Sequence, residues 1–280
     1  MTAAPRASVD DAAIGTVRQV PAHPPVTVAF TGRHGATGEL NLSLVVGGGD
    51  VTAARLAALG SVGSTPERAV FMQQVHGGDV AVVGLADAGK GALAYDDAVP
   101  AVDALVTRDA DLALVVLVAD CVPVLLVDPD GAVAAVHAGR GGVERGVVAA
   151  TIEAMAPADP QRLQGFIGPA IGGCCYEVPG QMAASVVDAW PQAAATTTWG
   201  TPSLDLPAAA TAQLAAAGVT AVDRVGGCTR CHHDRWFSHR ATGQLGAPAG
   251  RQAGIVVRSR HSSMDAPPDR AGAPLSLQSP

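Results

Sequence analysis

Cys121 and His137 flank a segment with strong turn chemistry, Asp128-Pro129-Asp130-Gly131. The apolar runs on either side, 112–127 and 132–137, read as two strands of a hairpin. Pairing Val127 with Ala132 makes partner numbers sum to 259, setting Cys121 opposite Ala138 and His137 opposite Val122. The two side chains are then close along the ladder but on opposite faces. Pro123 has no N–H to give the ladder, which predicts a break or bulge that re-aims Cys121. A thiol and an imidazole brought together suit either a metal site or a thiolate–imidazole pair. Asp120 adds a carboxylate at the end of an apolar strand, an expensive place for a charge.

Other segments carry weaker signals. After His137, Gly139-Arg140-Gly141-Gly142-Val143 forms a glycine-rich turn between strand and helix, where free N–H groups with Arg140 and Arg145 suit a phosphate. The stretch 84–91 approaches a phosphate-binding loop, yet Gly91 stands where a hydroxyl should hold magnesium and no helical pattern follows Lys90. Nucleoside triphosphate binding there is excluded. Cys228-Thr-Arg-Cys231 is half a zinc site without a second ligand pair at finger-like distance, and reads as packed cysteines beside surface histidines. Cys174 and Cys175 are adjacent and cannot easily bridge each other, so at least one belongs to the core.

The elements that must position these groups alternate irregularly. Strands are expected at 26–30, 69–75, 80–83 and 255–258, and at Phe166-Ile167 before a Gly-Pro turn. The strands 69–75 and 80–83 flank a turn at Gly77-Gly78-Asp79. A short helix capped by Thr52 covers 52–59, a second runs over about 143–155, and helices fill much of 180–217. Hairpins mixed with helices predict a mixed α/β (α+β) fold rather than a clean strand–helix alternation. One domain over 26–260 is expected, with a loose lead-in at 1–25 and a flexible tail at 261–280.

The 280 residues are 48% hydrophobic but only 3% aromatic, so the core must be built from Ala, Val and Leu. A net charge of −7 argues against nucleic acid and anionic membranes as partners. Lysine occurs once, at Lys90 in a Gly-rich stretch, which argues against Schiff-base chemistry. The absence of a long apolar span and of a signal-peptide pattern, with five cysteines, reads as a cytoplasmic protein with reduced thiols.

Four segments in order resemble the YfiH-type family, bacterial relatives of the laccase-domain (multicopper polyphenol oxidase-like) proteins. They are Phe71-Met-Gln-Gln-Val-His76-Gly, Ala119-Asp120-Cys121-Val-Pro123, Val136-His137-Ala-Gly139, and the run from Ile167 through Cys174-Cys175-Tyr176-Glu177-Val178. Phe30-Thr-Gly-Arg33-His-Gly and the 228–254 region, with Phe237-Ser-His-Arg240, extend the likeness over about 26 to 258. The resemblance implies a single-domain layered sandwich of mixed sheets and helices. It also implies a zinc site made of His76, Cys121 and His137.

By the same resemblance, the activity would be that of a purine nucleoside phosphorylase that also deaminates adenosine and acts on methylthioadenosine, with purine nucleosides and phosphate as partners. Cys121 and Asp120 would then belong to the catalytic centre, while Arg33 and Arg140 would contact substrate. The family's usual H-A-G-W-R-G is His137-Ala-Gly139-Arg140-Gly141-Gly142 here, with no aromatic and the arginine one place early. The alternatives at this stage are a cysteine hydrolase using Cys121 and His137, a peptidoglycan-precursor editing factor, a copper-dependent polyphenol oxidase, and a non-catalytic metal protein in which all three ligands serve structure. Two imidazoles and one thiolate with an open fourth position are the pattern of a catalytic zinc, although the same donors also accept copper.

Overall fold

The computed structural model describes residues 8–11, 15–22, 24–35 and 38–260. Among these, two six-stranded mixed sheets form the centre. The first runs in the order Ser8–Asp11, Gly15–Val20, Val26–Thr31, Gln252–Arg258, Ala113–Val118, Ala69–Val70. The second runs Ala221–Arg224, Gln164–Ile167, Val122–Val127, Val133–Ala138, Ala104–Thr107, Val80–Val82. Val28, Leu114, Val116 and Val256 of the first sheet pack with Leu105, Leu125, Val133 and Phe166 of the second in one buried core. The helices Val147–Met155, Gly180–Ala189 and Leu206–Ala216 cover the outer face of the second sheet, and Val51–Gly60 covers that of the first. The molecule is a layered mixed α/β sandwich.

This layering explains why the strands read as unbroken apolar runs. In Val122–Val127, alternate side chains serve different cores: Leu125 and Val127 face the other sheet, while Val122, Val124 and Leu126 face the helices. A strand buried on both faces needs no polar alternation. Alanine supplies many of these contacts, including Ala104, Ala134, Ala135 and Ala138, as the scarcity of aromatics requires.

Several local expectations change. The single strand expected over 112–127 is two strands, Ala113–Val118 in the first sheet and Val122–Val127 in the second, so Ala119-Asp120-Cys121 is the crossover between them. The hairpin register is one residue off: Val127 pairs with Val133 and Pro123 with His137, giving partner sums of 260. The cause is Asp128, which remains in the ladder by donating its N–H to Ala132 O (2.9 Å), while its carboxylate accepts the N–H of Asp130 (3.0 Å). The loop is therefore one residue shorter than the turn residues suggested.

No bulge forms at Pro123, because His137 donates its N–H away from that ladder, to Asp103 O at 2.7 Å. The first helix is capped by Asp50, not Thr52, and Gly146, at φ +74°, splits the helix expected over 143–155 into Arg140–Glu144 and Val147–Met155. Of the strand expected over 69–75 only Ala69–Val70 pairs as one, and it lies in a different sheet from Val80–Val82. The lead-in assigned to 1–25 is in part ordered, since Gly15–Val20 pairs antiparallel with Val26–Thr31. The tail assigned to 261–280 lies outside the described residues. Among the described residues no helix is long and apolar enough to cross a membrane.

Truncating Leu125, fully buried between the sheets, should cost about 2–5 kcal/mol as Leu125→Ala. Val82→Ala, at a side chain 68% exposed, should change stability by about 0.5 kcal/mol or less. Urea denaturation midpoints of both variants check this, and equal shifts would contradict the layering.

Candidate metal centre and active site

Two connections leave the first sheet for the second at one end of the sandwich, and each delivers a ligand-type side chain. Residues 119–121 bring Cys121, and residues 71–79 bring His76. His137 lies in the strand Val133–Ala138, on the same face as Val133 and Ala135, which belong to the inter-sheet core. Both connections adopt left-handed backbone at a non-glycine residue: φ is +89° at Asp120 and +59° at His76. Such conformations cost of order 1–3 kcal/mol each and persist only where surrounding contacts over-determine them.

Here those contacts are carboxylates. The side chain of Asp120 accepts from Thr229 Oγ1 (2.6 Å) and from the backbone N–H of Arg240 (2.7 Å). Asp103, fully buried, accepts the N–H groups of Val75 (3.3 Å), His76 (2.9 Å) and Gly77 (2.6 Å). The same carboxylate meets His137 Nδ1 at 2.7 Å. In the neutral form with Nδ1–H donated to Asp103, His137 would turn its Nε2 lone pair towards the site.

Cys121 Sγ lies 3.7 Å from His76 Nε2, and the His76 and His137 rings meet edge to face with centroids 4.7 Å apart. One ligand atom from each of His76, Cys121 and His137 lies within 4.8 Å of the others. Two donors on one tetrahedral zinc, at ordinary Zn–S and Zn–N lengths, sit about 3.6 Å apart, so this spacing fits a single ion. Gly139 makes the convergence sterically feasible. A Cβ there would fall 2.8 Å from His76 Cδ2 and 3.2 Å from Cys121 Sγ.

The charges are matched as well as the distances. Burial pushes the Cys121 thiol up, but the charge and hydrogen bond of His137, with a hydrogen bond from His76, outweigh it and bring the thiol down to about 6. Burial likewise lowers His137, yet the Cys121 thiolate and the Asp103 carboxylate raise it to about 9. For Asp103 burial acts upward, and the hydrogen bonds from His137 and the Gly77 backbone hold it below the ordinary carboxylate range.

The three side chains open into a cavity of about 710 Å³, within the range of roughly 300–1,000 Å³ usual for small-molecule sites. Arg55, Arg140, Arg145, Arg240 and Arg251 line it, against one carboxylate, Asp120. This local excess of positive charge contrasts with the net −7 of the chain.

Asp120 lines the cavity, but with both oxygens engaged its geometry favours holding the corner over proton transfer. Arg140 lines the cavity and pairs with Glu144 at 2.6 Å. Arg33 is not brought there. It pairs with Glu39, donates to His233 O (2.7 Å) and lies over the Phe237 ring. Sequence reasoning missed Asp103, for which the available signal was an acidic residue heading the apolar run Ala104–Thr107, and gave no role to Arg240 and Arg251, which stand in the 228–254 motif region.

The model of the multi-copper polyphenol oxidoreductase laccase family matches residues 27–259. The chain belongs to this family. A purine nucleoside phosphorylase of Streptomyces coelicolor is 49% identical over 231 residues, covering 79% of this chain and 92% of that protein. An adenosine deaminase of an unknown prokaryotic organism is 36% identical over 214 residues, covering 71% of this chain and 78% of that protein. The crystal structure of YlmD from Geobacillus stearothermophilus superposes with a TM-score of 0.80 at 31% identity, covering 91% of this chain and 100% of that one. The fold is thus shared with that solved structure over 91% of this chain.

Asp103 touches both histidine segments without being one of the three converging ligand-type groups, so Asp103→Asn tests the support. It should weaken the affinity for a divalent metal ion about 10–100-fold in a chelator competition titration while circular dichroism stays native. Unchanged affinity would remove Asp103 from the account.

Proposed function

We propose that the chain is a zinc-dependent purine nucleoside phosphorylase that also deaminates adenosine and cleaves methylthioadenosine. The observation that carries this reading is the shared cavity: the His76–Cys121–His137 group, able to hold one ion with a coordination position open, shares it with Arg140, Arg145, Arg240 and Arg251, while buried Arg55 spends its donors on the carbonyls of Leu42, Gly91 and Ala92. A metal-compatible group and an anion-compatible wall in one pocket are what a nucleoside and phosphate need together. The names of the Streptomyces and unknown-prokaryote relatives point the same way.

When bound at the triad, zinc supplies a Lewis acid that lowers the pKa of an oxygen nucleophile. The chain's own residues do the rest. Arg145 donates to the carbonyls of His76 (3.0 Å) and Gly141 (3.1 Å), and Arg251 to that of Gly250 (2.8 Å). Each has further N–H donors to offer a phosphate. Tyr95 and Tyr176 present aromatic surface to the cavity for a purine. In phosphorolysis an oxygen of hydrogen phosphate bonds to ribose C1′ as the C1′–N9 bond breaks, and the proton the phosphate carried passes to the leaving purine.

Inosine should therefore be consumed only with phosphate, giving hypoxanthine and ribose 1-phosphate in equal amounts by chromatography. Free ribose formed at the same rate without phosphate would mean hydrolysis. Arg251→Gln should raise the KM for phosphate about 10–100-fold, the worth of a charge-assisted hydrogen bond, with a smaller effect on the KM for inosine.

One observation favours a second reading, a cysteine hydrolase. The thiol of Cys121, brought down to about 6, faces His137, which Asp103 orients, a nucleophile–base–orienter chain. Such a nucleophile needs only one imidazole, whereas Cys121 has two. Mass-mapped alkylation separates the readings. As a ligand, Cys121 should label slowly in the zinc-loaded protein and faster after chelation; fast labelling without chelation, with a covalent adduct during turnover, selects the hydrolase.

A further inference from the structure

A second convergence of soft donors lies on the other side of Asp120, reached through its contacts with Thr229 and with the Ile171 N–H, which donates to Asp120 O at 2.9 Å. From sequence, Cys228 and Cys231 lacked a second ligand pair, and at least one of Cys174 and Cys175 read as core. Cys175 is buried, as expected, and the fold brings Cys174 and Cys175 to Cys228 and Cys231 as the missing pair. The sulfurs of Cys174, Cys175, Cys228 and Cys231 all lie within 4.8 Å of one another. Cys231 Sγ is 3.7 Å from Cys174 Sγ and 3.4 Å from Cys175 Sγ.

Two tight turns make this possible. The N–H groups of Cys175 (2.9 Å) and Tyr176 (3.0 Å) both close onto Gly172 O, turning the adjacent cysteines towards the same point. The 228–231 turn closes through the His232 N–H on Cys228 O (3.1 Å) and is laced to the first by the Thr229 N–H on Ala170 O (3.1 Å).

The spacing is that of ligands around one ion. A tetrahedral site with Zn–S lengths of about 2.3 Å has sulfur–sulfur edges of about 3.8 Å. The four sulfurs are too close together to enclose a cluster of several irons and sulfides. All four cysteines are unbridged, and the neighbours Cys174 and Cys175 cannot close on each other without a strained ring. Donors also point at the sulfurs: the Gly172 N–H meets Cys228 Sγ at 3.3 Å and the Arg230 guanidinium meets Cys175 Sγ at 3.5 Å. Arg230 is fixed over the Trp199 ring and by Gln244. Four thiolates around a divalent ion leave a net charge of −2, which such N–H groups and a guanidinium offset.

We propose that Cys174, Cys175, Cys228 and Cys231 hold a zinc ion in a closed, all-thiolate structural site, separate from the open triad. Its work is mechanical. It ties the 170–176 turn to the 228–231 turn, and through Thr229 it keeps Asp120 at the corner that aims Cys121. The assignment does not depend on which reaction the triad performs.

The test uses the full chain purified without chelator, with zinc measured by plasma mass spectrometry. Wild type should carry about two zinc ions per chain, and His76→Ala about one. Cobalt-substituted His76→Ala should keep an intense sulfur-to-metal charge-transfer band, which the added pair Cys228→Ser and Cys231→Ser abolishes. If that variant fails to fold, alkylation mapping of wild type decides: all four cysteines should be protected until chelation. Immediate labelling of Cys228 and Cys231 in untreated protein, a disulfide between them, or complete zinc loss in folded His76→Ala would overturn the proposal. Inactivity towards nucleosides with two zinc ions retained would overturn the phosphorylase reading alone.

Discussion

One buried carboxylate, Asp103, carries the geometry of the candidate active site. It binds three consecutive backbone N–H groups around His76 and the Nδ1 of His137, and its own backbone oxygen accepts the His137 N–H. Two imidazoles from separate segments thereby take their positions from a single group. A buried charge is tolerable only when its lone pairs are filled, and here they are. The left-handed backbone at His76 is held by the same bonds that orient the neighbouring imidazole.

The layering of the molecule puts that carboxylate to use. Two sheets share an apolar core, and the chain crosses between them at 71–79 and 119–121, near the end of the strand that carries His137. Sheet packing fixes the crossovers more firmly than free loops would be, which suits a site whose donors must meet within a few ångströms. Asp120 does for the second crossover what Asp103 does for the first, with Thr229 and the Arg240 N–H as its partners.

The five cysteines divide between two environments. Cys121 sits beside two histidines in a cavity lined by arginines, an arrangement with room for a substrate. The other four face one another across two laced turns, an arrangement that closes around a point. Softness of the donor is common to both; the difference lies in whether a coordination position remains open.

The strands around 26–30, 122–127 and 133–138, the turn after Val127 and the small residue after His137-Ala138 were legible in sequence, because each rests on local periodicity or backbone freedom; the buried strand Ala104–Thr107 and the break of 112–127 into two strands were not. Motif resemblance added His76, which no local pattern connects to Cys121. Other features were settled only by tertiary structure. The hairpin register depended on whether Asp128 stayed in the ladder, a competition between a side-chain turn and one further backbone bond. Arg33, chosen from its motif, was drawn instead to Glu39 and the His233 carbonyl. Asp103 and the pairing of Cys174 and Cys175 with Cys228 and Cys231 became visible only when segments far apart in the chain were stacked or laced together. Sequence periodicity reports which face of an element is buried; which distant side chains meet there depends on the order and register of strands, and those are decided by the packing of the whole.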